Sequence, residues 1–190
     1  MPATGICNRL KAWCEKYPDP AASPERNAAA RIDEDRRLGK LAGADALSRD
    51  QVIDLINWKF QSMAHRRALA TRGISPERWD GHDGAADLIR HALADSDDTE
   101  AMATICRIHR FGPAMSSVIL AACRPERFTV ADSRALKALR LLGRMPDGPP
   151  GFRRSDWPPY LDACRNLAGQ CGVSLRDIDR ALWVAANETG

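Results

Sequence analysis

The sequence predicts an all-α protein. Three observations carry this: apolar residues recur at helical spacing along most of the chain, no stretch alternates with the two-residue period of a strand, and helix-start and helix-stop residues punctuate the segments in turn. At 190 residues the chain can bury a core without metal or disulfide staples. No internal repeat stands out.

Ile6, Leu10, Trp13 and Tyr17 fall on one stripe and predict a first helix, which Pro18-Asp19-Pro20 ends. Ser23-Pro24-Glu25 supplies a cap and a proline for a second helix. Its alternating charges (Arg31, Asp33, Glu34, Asp35, Arg36, Arg37) read as an exposed, structural face. Ser48-x-x-Gln51 is a capping box opening a helix with the stripe Val52, Ile53, Ile56, Phe60 and Met63. Trp58 and Lys59 lie off that stripe, where they either edge a helical interface or line a groove. His65-Arg66-Arg67 reads as the basic last turn of the same helix or as a phosphate contact. Gly73 ends this segment, and Ser75-Pro76-Glu77 starts the next, which carries Trp79. His82 and Asp83 are adjacent in a glycine-flanked loop, a poor geometry for a catalytic dyad. Asp97-x-x-Glu100 reads as a second capping box for a helix running through Ile105. From Gly112 another helix continues to about Cys123, where Arg124-Pro125 stops it. After a short connector Asp132 caps the helix of Ala135, Leu136, Leu139 and Leu142. A proline- and glycine-rich loop, 145–151, precedes helices of about 156–170 and from Ser174 onward, the last with Leu175, Ile178, Leu182 and Ala185 on one stripe.

The net charge is only +3, but its distribution is uneven. Between Thr104 and Arg154 stand ten basic and three acidic residues, so the rest of the chain is net acidic. Such a window suits either a polyanion-facing surface or a solvated, arginine-rich helix face. The six cysteines (Cys7, Cys14, Cys106, Cys123, Cys164, Cys171) lie mostly in helical, alanine-rich stretches, with no secretory signal or long apolar run before them. They are expected to be reduced core residues of a cytoplasmic protein. Cys164 and Cys171 lack a following Cys-x2-Cys, and Cys106, His109 and Cys123 lack a close second pair. No iron–sulfur cluster, zinc or other cofactor is expected.

The informative stretch is Ile108-His109-Arg110-Phe111-Gly112-Pro113-Ala114-Met115-Ser116, a tight turn between two helices, followed twenty residues after Gly112 by Asp132. A turn of this kind can aim backbone N–H groups at a phosphate oxygen, with glycine admitting close approach. Any helical corner can carry a glycine, so the turn alone decides little. Asp132 at a helix start is a plain cap, an ionised catalytic carboxylate, or both.

Turn and aspartate together resemble the helix-hairpin-helix DNA glycosylase superfamily, the group that includes endonuclease III and the mismatch adenine glycosylase. There a hairpin of the type Leu-Pro-Gly-Val-Gly-x-x-x-Ala is followed at this separation by the catalytic aspartate. Ile108, Phe111, Gly112 and Ser116 take the matching Leu, Val, second Gly and Ala places, while Arg110 replaces the first glycine. Small free-standing bacterial members also share Trp58-Lys59, Pro125-x-x-Phe128-x-Val130-x-Asp132-x-Arg134-Ala135-Leu136 and Ser174-Leu175-Arg176-x-x-Asp179-x-Ala181-Leu182-Trp183. The resemblance covers Ser48 to the C-terminus.

The resemblance implies a two-lobed helical fold with the active site in the cleft between lobes. Residues 48–190 would form the glycosylase core, with its hairpin at 105–120 and catalytic segment at 125–143, and residues 1–47 an N-terminal extension packed on it. It implies Asp132 as the catalytic residue, with Arg110, Phe111, Gly112, Ala114, Arg124, Arg127 and Arg134 on the DNA backbone and Trp58, Lys59, Asp179 and Trp183 around a flipped base. Bifunctional relatives carry a lysine where this chain has Ala114, so base removal without strand cleavage is expected. The expected partner is double-stranded DNA, bound by a monomer without a membrane. The expected substrate is a hypermodified phage base such as glucosylated hydroxymethylcytosine, in antiphage defence, with alkylated or oxidised bases as the repair alternative. A non-catalytic DNA-binding module, its Asp132 only a cap, is the expectation of another class.

Overall fold

A computed structural model describes residues 3–188. Its described residues form eleven α-helices and one short 3-10 turn, with no strand, so the chain is all-α. Helix α1 (Ala3–Glu15) puts Ile6, Leu10 and Trp13 into the core. Helix α2 (Pro24–Gly39) is capped by the Ser23 hydroxyl, which accepts from Arg26 N–H at 3.3 Å. The predicted capping box opens α3 (Arg49–Lys59), with Gln51 N–H donating to Ser48 Oγ at 3.2 Å and Ser48 N–H to Gln51 Oε1 at 2.7 Å. Then follow α4 (Ala64–Gly73), the single turn α5 (Pro76–Trp79), α6 (Ala85–Ala94), α7 (Asp98–Ile105) and α8 (Pro113–Cys123). Helix α9 (Ser133–Leu141) starts at Asp132, and a 3-10 turn (Arg154–Asp156) leads into α10 (Trp157–Cys171). Gly172, at φ 62°, takes the left-handed conformation that ends α10 before α11 (Leu175–Glu188).

Two helices act as hubs. Helix α8 is apolar on nearly all sides and packs against α2, α3, α6 and α7, whereas α11 packs against α1, α9 and α10. One continuous apolar core joins both groups. Residues 3–47 are built into it: α1 lies on α11, Gly43 N–H donates to Cys123 O at 2.8 Å, and the Arg124 guanidinium reaches Ala44 O at 2.7 Å and the Asp45 carboxylate.

Four expectations change. Cys7 on α1 and Cys171 at the end of α10 form a disulfide, so not all six cysteines are reduced; Cys14, Cys106, Cys123 and Cys164 are free. Helices α1 and α10 meet only in three dimensions, which the spacing could not reveal. Second, α3 ends at Lys59 with Phe60 turned into the core, so His65, Arg66 and Arg67 stand in the first turn of α4. Basic side chains there oppose the helix dipole, the reverse of the last-turn reading. Third, Asp97 accepts from Thr99 and Glu100 N–H, but its own N–H goes to Asp95 Oδ1 at 2.8 Å, so only half of the expected capping box forms. Fourth, Glu34 of the supposedly exposed α2 is buried.

The hairpin between α7 and α8 is seated on the end of α4. A Cβ built on Gly73 would lie 1.9 Å from the His109 carbonyl oxygen, a clash with backbone that no rotamer can relieve. Gly73→Ala is therefore expected to destabilise the protein by about 1–3 kcal/mol through overpacking, read by urea unfolding; an unchanged midpoint would show that the hairpin is free to move away from α4.

Candidate active site

Asp132 is held from both sides of the molecule. The three residues before it lie outside any helix and are buried, so their peptide groups need partners outside any helical ladder. Ala131 N–H donates to Ser117 Oγ of α8 at 2.7 Å, and Tyr160 of α10 donates its hydroxyl to Val130 O at 2.9 Å. Thr129 Oγ1 donates to Leu175 O at 3.3 Å, at the start of α11. Lys59, the last residue of α3, reaches Ala131 O at 3.5 Å and Asp132 Oδ2 at 3.1 Å. Ser117 and Tyr160 escaped the sequence reading; the Ser116-Ser117 pair in a helix otherwise apolar was the available signal.

The carboxylate itself caps α9, Oδ1 accepting from Arg134 N–H at 2.8 Å. Its side chain is 23% exposed and that of Lys59 10%, so the pair lies at the surface of the core with one face open. Burial, the largest influence on Asp132, pushes its pKa up. The Lys59 ammonium and the Arg134 N–H outweigh this and hold it below the ordinary carboxylate value. Asp132 is thus an ionised, oriented and partly accessible carboxylate, the form that can face developing positive charge.

Behind this pair stands a second acid. Asp179 of α11 is 5% exposed and ion-paired with Arg176 one turn earlier. Burial pushes its pKa up to about 6; Asp132 and Glu34 push the same way, while Arg176 and Lys59 pull it down. Arg176 also lies 2.6 Å from Glu34 Oε1, and the buried Arg180 donates to the same oxygen at 2.7 and 3.0 Å. Tyr17 donates its hydroxyl to Glu34 Oε2 at 3.0 Å. The aromatic residues flank this array. The Arg176 guanidinium sits 5.0 Å from the Trp58 ring centre, Arg134 4.8 Å from that of Trp183, and Tyr17 meets Trp183 edge-on at 5.5 Å.

The four residues expected around a base therefore divide. Lys59 and Asp179 converge on Asp132; Trp58 and Trp183 flank it through arginines. Trp58 also walls an apolar cavity of about 210 Å³ with Leu38, Val118, Phe128, Val130 and Arg176.

In the hairpin, Ile108 and Phe111 are buried anchors, which removes the Phe111 side chain from any contact with a ligand. Arg110 has φ 67°, the left-handed conformation expected of the glycine it replaces. Gly112, in extended conformation, starts α8 without a side-chain cap, and a Cβ there would meet nothing within 4 Å. Ala114 follows in the half-buried first turn. Two expected phosphate contacts are occupied internally. Arg124 bonds Ala44 O, Leu93 O, Cys123 O and Asp45, and Arg127 bonds Asp98, Asp95 O and Ser96 O. Arg110 and Arg134 remain exposed. No group of three or more His, Cys, Asp or Glu placed to hold a metal occurs among the described residues, and no described helix is long and apolar enough to cross a membrane.

No family model, curated protein or solved structure gives a significant match to the chain.

Asp179 gives the site a pH signature. Its ordinary value is 3.8 and its folded value about 6, so between these the folded protein keeps a proton that the unfolded chain has released. Its contribution to stability is then full below the unfolded value and lost as pH rises through the folded one. The unfolding midpoint of Asp179→Asn minus that of wild type should become more positive from about pH 4 to about pH 7; a difference that stays flat would mean that Asp179 ionises as an ordinary carboxyl.

Proposed function

We propose that the protein is a DNA glycosylase that hydrolyses the bond between a modified base and its sugar, with Asp132 as the catalytic carboxylate. The observation that carries this is the ionised, partly open Asp132 at the start of α9, fixed by Lys59 and by the pinned segment before it. Cleavage of an N-glycosidic bond builds positive charge on the sugar, and a carboxylate fixed near C1′ stabilises that charge without reorganising. The same carboxylate orients the attacking water. The target base leaves the stack to reach it, with Trp58 and Trp183 as flanking surfaces.

The hairpin supports the reading as the backbone-holding element. Its uncapped α8 start, open at Gly112, leaves N–H groups for a phosphate oxygen, with Arg110 exposed two residues before Gly112 and Arg134 exposed in the first turn of α9 as further cations for the backbone. Lys59 at the end of α3 and Asp132 at the start of α9 come together at 3.1 Å, with the carboxylate partly open to solvent. The substrate class is a bulky modified base of phage DNA, glucosylated hydroxymethylcytosine in the first instance, with alkylated and oxidised bases as the alternative.

Phage DNA with and without modified cytosine, together with alkylated and oxidised duplexes, provides the test, scored as alkali-labile abasic sites. Asp132→Asn is expected to lower the single-turnover rate by about 10²–10³ while DNA retention persists. Equal rates for the two proteins would leave Asp132 as a cap and favour a non-catalytic DNA-binding module.

One observation bears on strand cleavage. Ala114 leaves the hairpin without an amine, but Lys59 brings one beside Asp132 from α3. Its Nζ is engaged at 3.1 Å by the Asp132 carboxylate and at 3.5 Å by Ala131 O, so it is committed inside the protein, and the enzyme stops at the abasic site. Borohydride reduction during turnover should accordingly trap no protein–DNA adduct; an adduct that disappears in Lys59→Ala would make Lys59 the lyase amine.

A further inference from the structure

Helix α2 is polar almost throughout, and its acids Asp33 and Asp35 are exposed, with Asp33 near the exposed Arg36 and Arg37. Glu34 is the exception. It is buried against α11, where one carboxylate receives Arg176, Arg180 and the Tyr17 hydroxyl. A buried charge in an otherwise solvated helix is unusual enough to need a reason. Stability is a weak one, because desolvation of such clusters consumes much of their attraction.

The direction of the contacts supplies a better reason. From Glu34 the charges alternate inward: Arg176 bridges Glu34 to Asp179, and Asp179 acts through space, not by contact, on Lys59 and Asp132, which are themselves paired at 3.1 Å. The same arm supplies Tyr17, which packs edge-on against Trp183, whose ring carries Arg134 from the first turn of α9. Two routes therefore lead from residues 17–34 to the carboxylate. We propose that the N-terminal arm is part of the active site, and that Glu34 is a positioning residue which seats Tyr17 against Trp183 and so, through Arg134, whose N–H binds the Asp132 carboxylate, and with the Arg176–Asp179 pair beside it, holds Asp132 in its working geometry. This rests on the glycosylase reading of Asp132.

The chain of charges is sensitive to removal of its outer member. Asp179 faces Arg176 on its own helix, Lys59 from α3, Asp132 at the start of α9, Glu34 from α2, Tyr17 from the α1–α2 connection, and Tyr160 and Cys164 from α10. Of these, Glu34 competes with Asp179 for Arg176 and adds like charge. In Glu34→Gln, Arg176 turns wholly to Asp179, Asp179 ionises more readily, and Tyr17 loses the charged acceptor that seats it against Trp183.

The test uses wild type, Glu34→Gln, Tyr17→Phe and Asp132→Asn as full chains. Two readouts are taken: carboxyl ¹³C titration of Asp179, which needs no substrate, and single-turnover base release across pH with DNA affinity measured separately. The expected result is a lower Asp179 midpoint in Glu34→Gln, a release rate about 10-fold lower with a displaced pH profile, and unchanged DNA affinity. Tyr17→Phe, which removes only the hydroxyl that ties Tyr17 to Glu34 and leaves the Glu34 charge in place, should lower the release rate by less at unchanged DNA affinity, and this loss carries the test if Glu34→Gln does not unfold cooperatively. An unmoved Asp179 midpoint with a wild-type rate and profile overturns the proposal while leaving the glycosylase reading intact. If wild type releases no base, or Asp132→Asn matches it, the glycosylase reading fails instead. The Asp179 midpoint then decides alone whether Glu34 reaches the Asp132 cluster.

Discussion

Residues 129–131 are buried and lie outside any helix, so no helical ladder satisfies their peptide groups. Much of the architecture answers that need. Ser117 of α8 takes the Ala131 N–H, Tyr160 of α10 gives its hydroxyl to Val130, Thr129 reaches Leu175 at the start of α11, and Lys59 of α3 touches the Ala131 carbonyl. Four helices that are remote in sequence are thereby tied to one short segment. An unpaired N–H at a site this dry costs about 1–3 kcal/mol, so each tie is more than decoration. Asp132 emerges from the end of this segment with little freedom left in its backbone, and its carboxylate is oriented before any ligand arrives.

The electrostatics follow from the same convergence. Once α2, α3, α9 and α11 meet, their charged residues face one another in a medium that screens poorly, and only alternation of sign is tolerable. Glu34, Arg176, Asp179, Lys59 and Asp132 alternate in that way, with Arg180 and Tyr17 balancing the outer carboxylate. The two aspartates come out differently because their partners differ in distribution. Asp132 has a cation and a helix-start N–H on an open face and stays ionised. Asp179 shares its arginine with Glu34, lies deeper, and gains a proton more readily. Two carboxyls whose environments push them apart are a frequent mark of a working site.

What the sequence made legible was what local chemistry decides. Ser23, Ser48 and Asp132 announce helix starts through their own side chains, and the stripes of α1 and α11 report the buried faces of those helices. The pairing of Lys59 with Asp132 was half visible, as two residues worth naming but without the 3.1 Å between them. What escaped depends on tertiary neighbours. Glu34 looks like its exposed neighbours Asp33 and Asp35 until α11 brings two arginines to it, and Cys7 and Cys171 are 164 residues apart. The break after Phe60 was hidden because an apolar residue continues the stripe whether or not the helix does. Arg124 and Arg127 were assigned outward for the same reason: a guanidinium near a hairpin reads as basic surface, and only the fold shows the carbonyls that claim it.

The hairpin separates the requirements of the fold from those of an external surface. Arg110 adopts a left-handed conformation that L-residues rarely take, at a cost of about 1–3 kcal/mol that surrounding contacts must offset. Those contacts exist: Ile108 and Phe111 are buried on either side, and Gly73 presses against the His109 carbonyl. The turn's shape is thus set by packing and does not need glycine at position 110. Gly112 is the opposite case. Its φ of −116° suits any residue and a Cβ there would meet no neighbour, so neither conformation nor internal space demands glycine. At this uncapped start of α8 Pro113 has no N–H and the Met115 and Ser116 N–H groups bond Gly112 O, so the Gly112 and Ala114 N–H groups are the donors that a bare glycine leaves uncovered.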